Sequence, residues 1–320
     1  MQGDDTPTLN PAQRDVLDRL GATKADRPRF DPGLSAALLA ELEARLAPIV
    51  RRLEEGETLW LAKHQLDAIH GCEVRFLDEE EQAFEWNAPK ARGAVAHKAI
   101  EVLTMRTDAL EPLDAVDEAI ASLSNGGGTL GDWLRTCGET ARAEVRGEAN
   151  TRVAAFVESW PPLEKRWRPV LEGRLRLDLF DGRVTLAGKP DLTIGQGQGD
   201  VAGKVIVDFK TGGQHVGHVA DLRFYALIDT LRLGIPPRLL ATAYLDSARI
   251  MTETVTTDSL WSSVDRVVDG AGRLVTLTAK ERDPVVQPGP ACRWCRIRST
   301  CAEGRAYLER NDEVDLDPFD

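Results

Sequence analysis

No stretch of this sequence reaches the roughly 18 uncharged apolar residues that a membrane span needs, so no membrane partner is expected. The opening MQGDDTPTLN has neither a basic segment nor an apolar one. It does not read as a secretory signal, and a cytoplasmic protein is expected. No Gly-x4-Gly-Lys-Ser/Thr loop occurs, so the chain is not itself a helicase built on that loop. The NGGG run at 125–128 has no phosphate-loop context and reads as a flexible linker. Cysteine is scarce, with five in 320 residues, and no disulfide framework is expected in a cytoplasm. Cations are outnumbered, 40 Lys and Arg against 52 Asp and Glu, for a net charge of −12. That excludes a surface coated in positive charge. It does not exclude a basic groove, because EKRWRPVLEGRLRL and CRWCRIRSTC are locally basic while NDEVDLDPFD is acidic.

What is present reads as a helical N-terminal part followed by a mixed α/β core. Residues 1–55 form an arm and an amphipathic helix, PGLSAALLAELEARLAPIV, with apolar residues at helical spacing. Helical segments continue to about residue 160. GRLRLDLF, the turn DG and RVTLAGKPDLTIG then read as a β-hairpin, and KVIVDFKT as a third strand of an antiparallel meander. A helix, the strand RLLATAYLD, a polar edge strand and a long helix follow. The expected fold is a mixed central sheet flanked by helices.

The strand VIVDFKTG raises a chemical question. Side chains alternate along a strand, so Asp208 and Lys210 share a face, and Phe209 points the other way. A strand-edge ion pair is the plainer reading of a lone Asp-x-Lys. Three further features bear on it. The expected meander can bring Asp191 of GKPD beside Asp208, and two neighbouring carboxylates repel unless a cation lies between them. Hard divalent ions accept such oxygen ligands, and a bound one can activate water against a phosphate. In GAVAHKAIE, Gly93 and His97 share one helix face, the glycine allowing close approach while the imidazole reaches inward. In HVADLRFYAL, Asp221 and Tyr225 lie one turn apart, and Tyr225 fits either core packing or a hydrogen bond beside a phosphate.

Gly93-x-x-x-His97, Gly188-Lys-Pro-Asp191, Asp208-Phe-Lys210 and the Tyr225 helix occur in the order seen in PD-(D/E)XK nucleases of the RecB-like branch, which residues 56–305 resemble. The resemblance implies a restriction-endonuclease-like core and a DNA-cleaving, Mg²⁺- or Mn²⁺-dependent enzyme. It implies exonuclease action on ends or single strands, in repair, recombination or defence. It makes His97, Asp191, Asp208 and the carbonyl of Phe209 metal ligands, gives Lys210 the nucleophilic water, and counts Tyr225 in the site. The family's Gln-x-x-x-Tyr is here Asp221-x-x-x-Tyr225, which puts the role of Asp221, DNA contact or cation ligand, in question. The alternative is a catalytically weak or inactive DNA-binding or scaffolding subunit of a helicase–nuclease complex.

Cys292-x-x-Cys295-x5-Cys301 supplies three thiolates, one short of the four that tetrahedral zinc or a [4Fe–4S] cluster takes. The layout resembles the iron–sulfur subset of the same branch, AddB-like, in which one cysteine precedes the histidine motif and three close the domain. That resemblance assigns Cys72 with Cys292, Cys295 and Cys301 to a [4Fe–4S] cluster, with Zn²⁺ as the alternative, and leaves Cys137 free. The implied nuclease domain spans 56–310, with an acidic tail at 311–320. Arg92, Arg166, Trp167, Arg293 and Arg296 are candidate DNA contacts, through phosphate and by stacking, or a solvated loop and ordinary packing. A separate helicase or single-stranded DNA-binding protein is the expected partner. The Pro-Phe tail resembles that of single-stranded DNA-binding proteins, though a solvated end is the plainer reading.

Overall fold

The computed structural model describes residues 9–106, 110–213 and 217–312, so most of the acidic tail lies outside the described residues. In chain order the elements begin with α1 (Pro11–Leu20), α2 (Leu34–Val50), β1 (Leu59–Ala62), α3 (Lys63–His70), α4 (Glu73–Glu80), α5 (Ala88–Met105), α6 (Pro112–Asn125), α7 (Gly128–Thr136) and α8 (Gly138–Ser159). They continue with β2 (Val170–Leu171), β3 (Leu175–Leu179), β4 (Val184–Gly188), β5 (Leu192–Ile194), β6 (Val205–Lys210), α9 (Gly217–Leu233), β7 (Leu239–Tyr244), β8 (Arg249–Thr254), α10 (Thr257–Thr278) and α11 (Ala302–Asp312). The expected mixed α/β class holds: a five-stranded sheet of order β2-β5-β6-β7-β8 is mixed, and a three-stranded sheet has the order β1-β4-β3. Among the described residues, no helix is long and apolar enough to cross a membrane.

Two compact units result. One comprises Met1–Leu39, Glu85–Leu177 and Ala187–Ser263, the other Ala40–Phe84, Asp178–Leu186 and Val264–Asp320. The first holds the five-stranded sheet. Its strand β6 is buried through Phe209, as expected of a central strand covered on both faces. It pairs parallel to β7 from Val205↔Leu239 to Lys210↔Tyr244, with α9 as the crossover that a parallel pair requires. Strand β8 carries charge and exposure along its length, in keeping with an edge. Val207, Phe209, Leu192 and Ala241 pack with Val95, Ala96 and Ala99 of α5 and with Phe156 and Trp160 at the end of α8.

The meander expected from the sequence is interrupted. The segment 183–195 does not run as one strand: Val184–Gly188 joins the three-stranded sheet, and Leu192–Ile194 joins β6. Pro190 lies in the break. It has no N–H to donate to a ladder, so a sheet strand cannot pass through it undisturbed. The break frees the Lys189–Asp191 turn to serve the site described next.

In the second unit, Glu73 is buried at the start of α4. Its carboxylate accepts from Arg282 at 2.6 and 2.7 Å and from the Val285 N–H at 2.8 Å. The segment leaving α10 is thereby fixed to the beginning of α4, next to Cys72.

Candidate active site and cysteine cluster

Antiparallel pairing of Leu192 with Val207 places Asp191 opposite Asp208, one step beyond the end of β5. Both carboxylates are withdrawn from solvent, Asp191 7% and Asp208 2% exposed. Asp191 Oδ2 accepts the Phe209 N–H at 2.6 Å, so its orientation is set by the strand it faces. Helix α5 is capped by Asn87, whose side chain accepts from the Lys90 N–H, and has Pro in its first turn, both favourable to helix initiation. A Cβ on Gly93 would stand 3.1 Å from Thr211 Oγ1. The glycine therefore permits the close approach that carries His97, one turn on, to the sheet. His97 Nδ1 lies 3.0 Å from Asp191 Oδ1. Burial pulls the imidazole pKa down, but the carboxylates of Asp191, Asp208 and Glu172 outweigh it, so the net shift is upward.

Lys210 projects from the end of β6 between two carboxylates, Asp208 Oδ2 at 2.7 Å and Asp221 Oδ2 at 3.3 Å. Tyr225, one turn beyond Asp221 on α9, is buried, and its hydroxyl donates to the Lys189 carbonyl at 3.3 Å. It supports the turn that carries Asp191.

One site residue has no local sequence signature. Glu172 follows β2 in the left-handed region at φ 53°. Non-glycine residues are rare there, and such strain concentrates at functional sites. Its N–H donates to the Asp191 carbonyl at 2.9 Å, and its carboxylate pairs with Lys189. Burial pushes the Glu172 carboxyl up; Lys189 opposes this, and the Asp191 charge adds to it. Ligand atoms of His97, Glu172 and Asp191 all lie within 4.8 Å of one another. Glu172 escaped the sequence reading because its partners come from α5 and β5. The usable signal was an acidic residue directly before the hairpin, meaningful only once β2 is paired with β5.

The four cysteines assigned together lie in the second unit, and Cys137 lies in the first. None is in a disulfide. Cys72 caps α4, Cys292 sits in a 3-10 turn, and Cys301 directly precedes α11. The Gly289 N–H donates to Cys292 Sγ at 3.4 Å and the Gly304 N–H to Cys301 Sγ at 3.3 Å. A Cβ on Gly304 would meet both those sulfurs, at 3.3 and 3.4 Å. Burial raises the Cys295 thiol pKa, and Cys292 and Cys72 lie close enough to add to the rise. Zinc–sulfur bonds of ~2.3 Å would hold tetrahedral thiolates ~3.8 Å apart. Among the described residues, no three cysteine sulfurs lie within 4.8 Å of one another.

The candidate DNA contacts are dispersed. Arg92 pairs with Glu148, and Arg166 with Glu164 at 2.5 Å. Trp167 is half-buried beside Arg166, and Asp221 engages Lys210. Arg293 and Arg296 are exposed in the second unit, flanking Cys295.

Comparison with known proteins gives a family. The PD-(D/E)XK nuclease superfamily matches residues 61–302. Among solved structures, a Eubacterium rectale protein described as a "putative exonuclease" is similar at 15% identity and a TM-score of 0.47, over 78% of this chain and 88% of that one. The crystal structure of SSO0001 is similar at 12% identity and a TM-score of 0.35, over 83% of this chain and 97% of that one. No curated protein matches the sequence.

Proposed function

The chain belongs to the PD-(D/E)XK nuclease superfamily, and from that premise we propose a metal-dependent deoxyribonuclease of the RecB-like branch that acts as an exonuclease on DNA ends or single strands. Repair, recombination or defence is the setting this chemistry serves, with a separate helicase or single-stranded DNA-binding protein as partner. The observation that carries the reading is the gathering of His97, Glu172 and Asp191 within 4.8 Å, beside the Asp208–Lys210 pair at 2.7 Å.

The donor set fits a hard divalent cation. Carboxylate oxygens with one imidazole suit Mg²⁺ or Mn²⁺. The Asp191 charge adds to the rise that burial gives the Glu172 carboxyl, an arrangement a cation relieves. His97, Asp191, Asp208 and the Phe209 carbonyl would hold the ion, with Glu172 as a further ligand. When bound, it supplies charge neutralisation at the phosphate and an acidified water. The protein's own groups do the rest. The Phe209 N–H fixes the Asp191 carboxylate, and Tyr225 fixes the turn behind it. Lys210 presents an ammonium at the mouth of the carboxylate cluster, where it can hold the attacking water or a phosphate oxygen. Asp208 sets that ammonium's position.

We assign the four cysteines of the second unit to a [4Fe–4S] cluster, with Zn²⁺ as the alternative. Two amides donate to sulfur, and Gly304 keeps the approach to two of the sulfurs clear of a side chain. The cluster would serve as a staple closing the domain at 56–310, with 1–55 as the arm and 311–320 as a tail.

The second reading, a binding subunit with weak or no catalysis, is favoured by one observation. Asp221 stands where the family has Gln and draws on Lys210 at 3.3 Å. Cleavage of labelled single- and double-stranded DNA with Mg²⁺ or Mn²⁺ separates the two. Asp208→Ala is expected to reduce cutting by about 100-fold or more, beyond what loss of an outer-shell partner usually costs. Undiminished cutting would reject the site; absence of cutting in the parent protein would favour the binding subunit.

A further inference from the structure

Away from the carboxylate cluster, but within the same unit, the N-terminal segment closes over a cavity of about 610 Å³. Helix α1, the turn after α8 and the loop from β5 to β6 form its walls. Six cationic side chains line it, among them Lys24, Arg27, Arg168 and Arg238, and no carboxylate does. In a chain of net charge −12 that is a strong local reversal. Arg29 is neutralised by Asp200 and Arg166 by Glu164. Lys24, Arg27, Arg168 and Arg238 remain, and on two of them, Arg27 and Arg238, the Nε atom is buried without a hydrogen-bond partner. Arg238 is only 9% exposed, and its Nη2 donates to the neutral Leu20 carbonyl. A buried cation beside another cation is costly unless an anion completes it. Burial, and then the Arg27 charge, lower the Arg238 guanidinium pKa, the direction expected of a cation without a counter-anion.

The walls are built rather than draped. The Asn10 side chain donates to the Glu158 carbonyl at 2.8 Å, tying α1 to the end of α8. The Phe30 N–H donates to the Asp200 carbonyl at 3.0 Å, and Ala202 N–H to the Pro28 carbonyl at 2.9 Å. Arg168 is held in the left-handed region at φ 52°, directly after Trp167, whose carbonyl accepts from the Gly195 N–H at 2.7 Å. An indole ring beside arginines offers a nucleobase a stacking face and its phosphate an ion pair.

We propose that this cavity is a nucleotide-binding site, with the phosphate held by Arg27, Arg168 and Arg238 and the base placed against Trp167. The nucleotide is either free in solution or one unit of the DNA strand being processed; the second source rests on the nuclease reading. Strands β5 and β6 connect the two places. Ile194 and Val205 line the cavity, and Asp191 and Asp208 lie three residues along each strand. At ~3.3 Å per residue the separation is about 10 Å, within the span of one short strand of nucleic acid.

The test is equilibrium binding in EDTA, followed by tryptophan fluorescence and calorimetry, on the full chain and on Arg27→Gln and Arg168→Asn. Both substitutions fall on side chains with solvent access, and Asn tolerates positive φ. The probes are inorganic phosphate, a deoxynucleoside, its monophosphate and a short single-stranded oligodeoxynucleotide. The monophosphate is expected to bind saturably, more tightly than phosphate or the nucleoside. Each variant is expected to weaken it by about tenfold, the weight of a charge-assisted hydrogen bond. Equal affinity for monophosphate and oligonucleotide identifies a free nucleotide as the ligand, and much tighter oligonucleotide binding identifies the strand. If folded variants bind both probes as the parent does, or if phosphate alone binds as well as the nucleotide, the proposal is overturned. Without divalent metal no cleavage is measured, so that failure leaves the nuclease reading intact, and failure of the Asp208→Ala experiment leaves this one intact.

Discussion

Replacing Gly188 by alanine would place a methyl carbon 2.4 Å from Cε1 and 2.7 Å from Cδ1 of Tyr225. Ordinary contact begins near 3.4 Å, so the overlap is about 1 Å. The ring has little freedom to retreat, because Tyr225 is 1% exposed and its helix neighbours Phe224, Ala226, Leu227 and Ile228 are equally buried. Overpacking of this kind costs ~1–3 kcal/mol. The lower chain entropy of unfolded alanine offsets about 0.5 kcal/mol of that. A net loss of ~0.5–2.5 kcal/mol is expected, equivalent to a melting-temperature drop of about 1–10 °C at ~2–4 °C per kcal/mol. The functional effect should be larger. Tyr225 is bonded to the Lys189 carbonyl, two residues before Asp191, so moving the ring moves the turn that carries the carboxylate. A misplacement of ~1 Å at a reacting centre can cost about 100-fold in rate. Thermal melts and metal-dependent DNA cleavage measure the two effects. Tyr225→Leu in the same chain removes the obstructing ring atoms, and the pair should couple by ~1 kcal/mol or more. Unchanged melting and cleavage in Gly188→Ala, or strictly additive losses in the double variant, would refute the packing argument.

Glu172→Gln should weaken Mn²⁺ binding by about tenfold in a calorimetric titration; unchanged affinity would reduce Glu172 to the partner of Lys189. Glu73→Gln removes the anion that joins Arg282 and Val285 to the start of α4, and less iron and sulfide per chain are expected after anaerobic purification. Iron retained at the parental level would show that Cys72 is positioned without this link. Arg146, through its hydrogen bonds, holds the Asp117 carboxyl below its usual range. Its stabilisation is therefore complete above the unfolded-state pKa of ~3.9 and disappears as pH falls through the lower folded value. Asp117→Asn should flatten the acid side of the melting-temperature profile, less so in 1 M salt because both side chains are partly exposed. An identical acid slope in the variant would remove that pair from the account.

Local sequence was enough for what depends on neighbours along the chain. The 3.6 period gave the helices, the alternation in VIVDFK gave β6 with Asp208 and Lys210 on one face, and Gly93-x-x-x-His97 gave a helix face able to approach the sheet. Those periodicities are properties of a single strand or helix, so they are readable without knowing what packs against them. Tertiary structure decided the rest. Pro190 divided an apparently continuous strand between two sheets, β2 pairing delivered Glu172 to His97 and Asp191, and the N-terminal arm supplied arginines to a cavity it encloses with residues more than 130 positions away. Pairing register and long-range closure are set by hydrogen-bond ladders and burial between distant segments, and nothing in either segment alone records which partner it will meet.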